Sequence, residues 1–172
     1  RVYPKQKIKK EYRDYEIENK IIFKKPIYRF WFGFIEPYYK NGKIDTQRVF
    51  EEYRKNGHKL LSFTFEELSI ELLKLYFHHN IPSCHSYWDY FNEFDIYCEF
   101  NGKKIIGECK YKNRFITKKE IIKLYKKVEV SNLEYDYIAL FSKSGFSSEL
   151  KKERRDNLLL FSLQDYKSLI TK

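Results

Sequence analysis

The chain has 172 residues, 42% of them hydrophobic, 34% charged and 19% aromatic, which suits one globular domain with a small appendage and excludes disordered, low-complexity and collagen-like classes. Lys and Arg exceed Asp and Glu by 34 to 24; they break up the apolar segments below the roughly 18 residues of a spanning helix, and the first residues lack a signal peptide's apolar stretch. A cytoplasmic protein without a membrane segment is expected.

Cys84, Cys98 and Cys109 are an odd number without CxxC spacing, which points to neither a disulfide framework nor a zinc knuckle. The start at Arg1 and the absence of methionine lead us to expect a piece of a longer protein. Positive charge is concentrated between Lys103 and Lys127, where ten basic residues face only Glu108 and Glu120, and again at residues 151–155. Such concentration is the footprint of a polyanion binder or, equally, of a solvated helix face.

In chain order, Tyr15–Glu18 alternates as a short strand would. Residues 27–35 are too apolar to be exposed on every side, so a buried helix ending near Pro37 is expected. Asp45 then caps a short helix that Gly57 ends. Thr64-Phe65-Glu66-Glu67 reads as a capping box opening a helix to about His79, with Phe65, Leu68, Leu72 and Leu75 at helical spacing. Strands are expected at 84–88, 94–100 and 103–111. Thr117 to Glu120 is a second capping box, before a helix burying Ile121, Ile122, Leu124, Tyr125 and Val128. A strand over 135–141, a short helix from Ser147, a strand over 158–161 and a final helix follow. This order predicts an α/β architecture with a mixed sheet flanked by helices.

The sharpest local signal is Asn101-Gly102 between two strand runs, the preferred pair of a type I′ turn. Pairing Phe100 with Lys103 sets Asp95 opposite Glu108. Alternation then puts Tyr97, Glu99, Lys104, Ile106 and Lys110 on that charged face, and Phe94, Ile96, Cys98, Phe100, Ile105, Gly107 and Cys109 on a core face. Facing carboxylates repel, and a divalent cation such as Mg²⁺ is one remedy. Lys110, on the same face, would stand beside it to orient water or stabilise charge on a phosphate. The competing reading is a plain salt bridge from Lys110 to Glu108 or Glu93.

Asp95, the hairpin and Glu108-Cys109-Lys110 resemble the D…ExK signature of the PD-(D/E)xK nuclease superfamily, whose αβββαβ core has the order of residues 64–141. With Phe65-Glu66, Gly107 to Lys110 and Phe141 to Phe146, the chain is similar to the C-terminal nuclease-like domain of archaeal-type AAA ATPases. The stretch from Tyr15 to Phe34, with Phe30-Trp31-Phe32, resembles the connector that follows a winged helix in those ATPases.

The resemblance implies a restriction-endonuclease-like fold, with a connector over 1–60 and the nuclease-like domain over 61–172. It also implies a Mg²⁺- or Mn²⁺-dependent nuclease acting on DNA, with ATPase and winged-helix regions as its partners. Asp95 and Glu108 would be metal ligands, the Cys109 carbonyl a third, Lys110 the catalytic lysine and Glu66 an assisting acid. Asn92-Glu93-Phe94-Asp95 lacks the proline of the superfamily's name. A non-catalytic DNA-binding or regulatory domain is the alternative.

Glu67 is expected to serve only its capping box, His78 and His79 to interact with a helix end, and Cys84-His85 to be structural. Lys112, Arg114 and Lys143 are the candidates for backbone contacts to nucleic acid. The turn Ser142 to Gly145 offers amides to a phosphate or is an ordinary connection.

Overall fold

The computed structural model describes residues 23–153 and 155–170; the expected strand at Tyr15–Glu18 lies outside them. Helix α1 (Pro26–Phe30) runs into a π-helical turn, Trp31–Ile35, and a 3-10 turn, Glu36–Tyr38. Strands β1 (Tyr39–Lys40) and β2 (Lys43–Ile44) form a small hairpin before helix α2 (Thr46–Tyr76). The main body is β3 (Cys84–Trp88), β4 (Glu93–Phe100), β5 (Lys103–Lys110), α3 (Lys118–Val130), β6 (Tyr137–Ser142), α4 (Ser148–Lys152), β7 (Leu158–Ser162) and a 3-10 turn, Asp165–Leu169. The five-stranded sheet has the order β3-β4-β5-β6-β7. Strands β3, β4 and β5 pair antiparallel, whereas β5, β6 and β7 run parallel.

The sheet is mixed and covered on both faces, as the α/β pattern predicts. Phe65, Leu72 and Leu73 of α2 pack with Ile96, Cys98, Ile105 and Phe141 on one side. On the other, Ile121, Leu124 and Val128 of α3 and Leu150 of α4 pack with Tyr97, Ile106, Ile138 and Leu140. The expectation of a core face and a charged face is therefore corrected: Tyr97 and Ile106 are buried, because a sheet continued by parallel crossovers acquires helices on both sides. Residue 122 corrects likewise, since Ile122 is exposed.

Asp45 caps α2 as expected, accepting from the Arg48 amide at 3.2 Å. The helix does not stop at Gly57, however, nor restart at Thr64; it runs 31 residues without a break, through the expected boundary at 60/61. Gly57 is not left-handed but buried beneath Tyr53, whose ring would lie 2.8 Å from an added Cβ. The glycine thus makes room for a ring rather than ending a helix. Thr64 sits mid-helix and donates its hydroxyl back to the Leu60 carbonyl at 3.0 Å. Leu68 of the expected apolar stripe is exposed. Beyond α2 the chain turns through left-handed His78 and His79, whose backbone N–H groups close on the Leu75 and Lys74 carbonyls at 2.9 and 2.7 Å.

Residues 27–35 are helical but not buried. Ile27, Tyr28, Trp31 and Phe32 are exposed and only Phe34 is buried, because α2 covers just one side of the segment. Phe30 and Phe34 pack on Tyr53 at 5.9 and 5.3 Å between ring centres. Arg29 reaches across to both oxygens of Glu67 at 2.6 and 2.8 Å. Glu67 is thus an ion-pair anchor and not a capping-box member.

Asn101 and Gly102 both take positive φ, and the hairpin pairs Phe100 with Lys103 through Ile96 with Gly107 in the expected register. Gly107 permits the close packing there, since an added Cβ would meet Ile96 at 3.0 Å and the Ala139 carbonyl at 3.3 Å. The Thr117–Glu120 capping box forms and starts α3. A further correction concerns cysteine: Cys84 and Cys98 face each other across β3 and β4 and are joined by a disulfide, leaving Cys109 as the buried free thiol. The two lie fourteen positions apart, so it is the strand register rather than any local spacing that brings them together.

Candidate active site

The hairpin ladder ends one pair short of Asp95 and Glu108. The reason lies on the other side of β4, where Tyr97 pairs with His85 and Phe94 with Tyr87. Over that interval β4 advances three residues and β3 two, which is a β-bulge. It moves Phe94 to the α3-side core with Tyr97, while Ile96 and Cys98 stay on the α2 side. The bulge also re-aims Asp95, whose Oδ2 accepts a 2.7 Å hydrogen bond from the Cys109 amide. A side chain replaces the ladder partner at this point, and strict alternation along the sequence gives no sign of it.

Asp95 opens onto a cavity of about 240 Å³ at the end of the sheet, lined also by Ser62 and Glu66 of α2, by Cys109 and Lys110 of β5, and by Lys112 beyond it. The structure therefore brings Glu66, Asp95 and Lys110 to one space. Glu108 is not in the lining. It lies on the α3 side, where Lys110 Nζ contacts Oε1 and Lys127 Nζ donates to Oε2 at 3.0 Å. Lys127 also donates to the Glu93 carbonyl at 3.0 Å. The residue reading overlooked Lys127, although its place three residues after the inward-facing Leu124 marks it as turned to the sheet. The salt bridge weighed for Lys110 forms with Glu108.

The electrostatics of the cavity are strained. Burial, and then the charges of Asp95, Glu93 and Glu108, push the Glu66 carboxyl up to about 7. Asp95 is pushed up to about 6, by burial first and the Glu108 charge second, against the opposing pull of the Cys109 amide and of Lys110 and Lys127. Burial alone would lower the Lys110 ammonium, but Glu108 and Asp95 outweigh it and hold it above its ordinary value. Burial pushes the Cys109 thiol well above the usual thiol range. At neutral pH the cavity thus holds a lysine that stays protonated beside Asp95, ionised against the pull of burial, and Glu66, close to half-protonated.

Among the described residues no group of three or more His, Cys, Asp and Glu side chains is placed to hold a metal ion. The two acids expected as ligands are divided: Asp95 opens onto the cavity beside Glu66, while Glu108 lies outside its lining with both oxygens on lysines. Asp95 and Glu66 are the carboxylate donors the cavity offers, and they suit a hard cation that keeps most of its waters and takes one or two carboxylates from the protein.

The other candidates lie around this end. Lys112 and Arg114 are exposed on the segment after β5, Arg114 being 3.3 Å from Glu120. Lys143 is half-buried and committed, lying 4.5 Å over the Tyr111 ring with its ammonium on Asn113 Oδ1 at 2.8 Å. The Ser142–Gly145 turn is fastened within itself and to β5, through Ser142 Oγ to the Gly145 carbonyl and the Lys143 amide to the Lys110 carbonyl. It is an ordinary connection. His85 packs against Tyr97 with ring centres 5.8 Å apart.

A family model described as archaeal and bacterial proteins of unknown function matches residues 31–124, a span that takes in Glu66, Asp95, Glu108 and Lys110. The chain is 40% identical over 63 residues to an uncharacterized protein of Methanocaldococcus jannaschii, MJ1664, covering 37% of this chain and 26% of that protein. A crystal structure of a protein of unknown function, AF1548, is similar with a TM-score of 0.40 and 22% identity, over 54% of this chain and 52% of the other. The chain thus matches about a quarter of the first relative's length and about half of the second's.

Proposed function

This chain belongs to the DUF234 family of archaeal and bacterial proteins of unknown function, and we propose that it is a metal-dependent nuclease of the PD-(D/E)xK type acting on DNA, within a larger ATPase-type protein that carries a winged helix. One observation carries the reading: Glu66, Asp95 and Lys110, from three separate elements, meet at one cavity where both acids sit above their ordinary range. Two half-buried acids at one cavity destabilise a fold, and a site that gathers them is worth that cost where a cation and a phosphate are to be bound.

Asp95 would hold Mg²⁺ or Mn²⁺ at the cavity with the Cys109 carbonyl as a further donor, and Glu108 would join them on release from its lysine partners. Bound there, the ion supplies Lewis-acid polarisation of the phosphate. Lys110, kept protonated by its carboxylate neighbours, stabilises negative charge on the phosphate oxygens, a role for which a high pKa suits it better than proton abstraction. Glu66, poised near neutrality, takes a proton from the attacking water. Lys127 holds one Glu108 oxygen and so orients that carboxylate. Lys112 and Arg114 contact the nucleic-acid backbone.

A second reading is a non-catalytic DNA-binding or regulatory domain of an ATPase. The pairing of both Glu108 oxygens with lysines favours it, since the acid is neutralised by the chain itself. Incubation with plasmid and single-stranded DNA in Mg²⁺ or Mn²⁺ separates the two. Cleavage that is lost with EDTA and falls at least a hundredfold in Lys110→Ala is expected. Salt-sensitive binding without cleavage would leave the second reading standing.

A further inference from the structure

The sheet topology gathers a particular set of side chains at the end that carries the cavity. Because β4 runs antiparallel to both β3 and β5, the turn joining β3 to β4 and the segment leaving β5 emerge together there. Both present aromatic rings to solvent. Phe91 is 67% exposed and Phe115 60% exposed, and each is only four or five residues along the chain from a cavity residue, Asp95 or Lys110.

These rings stand on firm supports. Asp89 Oδ1 accepts from the Phe91 and Asn92 amides, both at 2.8 Å, and the Asp89 amide closes the turn on the Asn92 carbonyl at 2.9 Å. Asn92 ties the turn to α3 through Ser131 Oγ at 3.0 Å. Tyr90 meets Phe91 edge-on, with ring centres 5.2 Å apart. Phe115 is followed by Ile116, which is buried and whose amide donates to the Gly145 carbonyl at 3.0 Å. Both rings are therefore held out from the surface without a core to fill, and exposed Lys112, which lines the cavity, and Arg114 precede Phe115 on the same segment.

We propose that this end of the sheet binds single-stranded nucleic acid, Phe91 and Phe115 each stacking on an unpaired base while Lys112 and Arg114 take the backbone. A flat ring offered to solvent suits the face of a base, and those faces are covered in a duplex but open in a single strand. The placement of the strand over Asp95 and Lys110 rests on the nuclease reading; the stacking does not require cleavage.

Fluorescence anisotropy of the full chain in EDTA tests it, with labelled oligodeoxythymidine, oligouridine and a hairpin-capped DNA duplex as probes. We expect single strands to bind more tightly than duplex, and Phe91→Ala and Phe115→Ala each to weaken single-strand binding about tenfold while leaving duplex binding unchanged. Phe91→Trp should restore affinity and Phe91→Leu should not, because a flat face is needed rather than apolar area. The two single-stranded probes show whether DNA or RNA is preferred. Duplex binding as tight as single-strand binding, or alanine variants that bind like the parent, would overturn the proposal. Ring-dependent binding in a protein that never cleaves DNA in Mg²⁺ or Mn²⁺ would refute the nuclease reading alone, and failure to bind any of the probes at low salt would overturn the stacking proposal while the cleavage assay decides the nuclease reading.

Discussion

Asp95 combines two demands that pull against each other. Its carboxylate repairs a backbone gap by accepting from the Cys109 amide, yet burial and Glu108 keep it protonated up to about pH 6. A carboxyl raised from 3.8 contributes stability fully below that value and loses it as pH climbs through about 6. Glu66, raised from 4.5 to about 7, extends the decline upward. The metal-free protein should therefore grow less stable between roughly pH 4 and pH 7. Asp95→Asn, which keeps an oxygen for the Cys109 amide, should stabilise it at neutral pH by about 2 kcal/mol after allowance for partial solvent access. Urea midpoints in EDTA across that pH range check this, and a variant no more stable than the parent would refute the strained-carboxyl account. Mg²⁺ should raise the melting temperature of the parent and not of Asp95→Asn.

At the scale of elements, the Cys84–Cys98 disulfide staples β3, an edge strand, to the strand that carries Asp95. Closing a loop of about fifteen residues contributes about 3 kcal/mol, so a reductant should lower the melting temperature by on the order of 10 °C. Cys84→Ser should show the same loss and no further response to reductant; a parent indifferent to reductant would count against the bond. Which elements were legible in the sequence follows from what fixed them. The Thr117–Glu120 capping box and the Asn101-Gly102 turn depend on neighbours in sequence, and both form as read. Asn41-Gly42, the same dipeptide, turns β1 into β2 with the same positive φ pair and passed unread between two-residue strands. Gly57 and Thr64 misled because their local signals yield to packing: Gly57 lies under Tyr53, and the Phe65, Leu72 and Leu73 contacts carry the helix past Thr64. The β4 bulge is a property of strand pairing and left no mark in the alternation, so Asp95 and Lys110 do come to one space while Glu108, expected opposite Asp95, lies outside it.

For the whole molecule, charge and topology agree. The excess of ten positive charges is densest along β5 and α3, and the exposed members Lys112 and Arg114 lie at the cavity end. If nucleic acid binds there, affinity should fall linearly with salt on a double-logarithmic plot. Replacing both residues with alanine should make the slope shallower by roughly one to two units, which a salt titration of the parent and the double variant measures; an unchanged slope would place the contacts elsewhere. Among the described residues no helix is long and apolar enough to cross a membrane, so the apolar side chains around Trp31 are no spanning segment.

The unbroken α2 has a mechanical corollary. A 31-residue rod is about 45 Å long, and between Asp45 and Glu66 it contains no proline and no left-handed residue at which to bend. Its far half carries the aromatic segment, and Arg29 clamps that segment to Glu67, one residue from Glu66. Buried Phe65 seats the neighbouring turn on the sheet. The aromatic segment is thus joined through Arg29 and Glu67 to the same helical turn that carries Glu66.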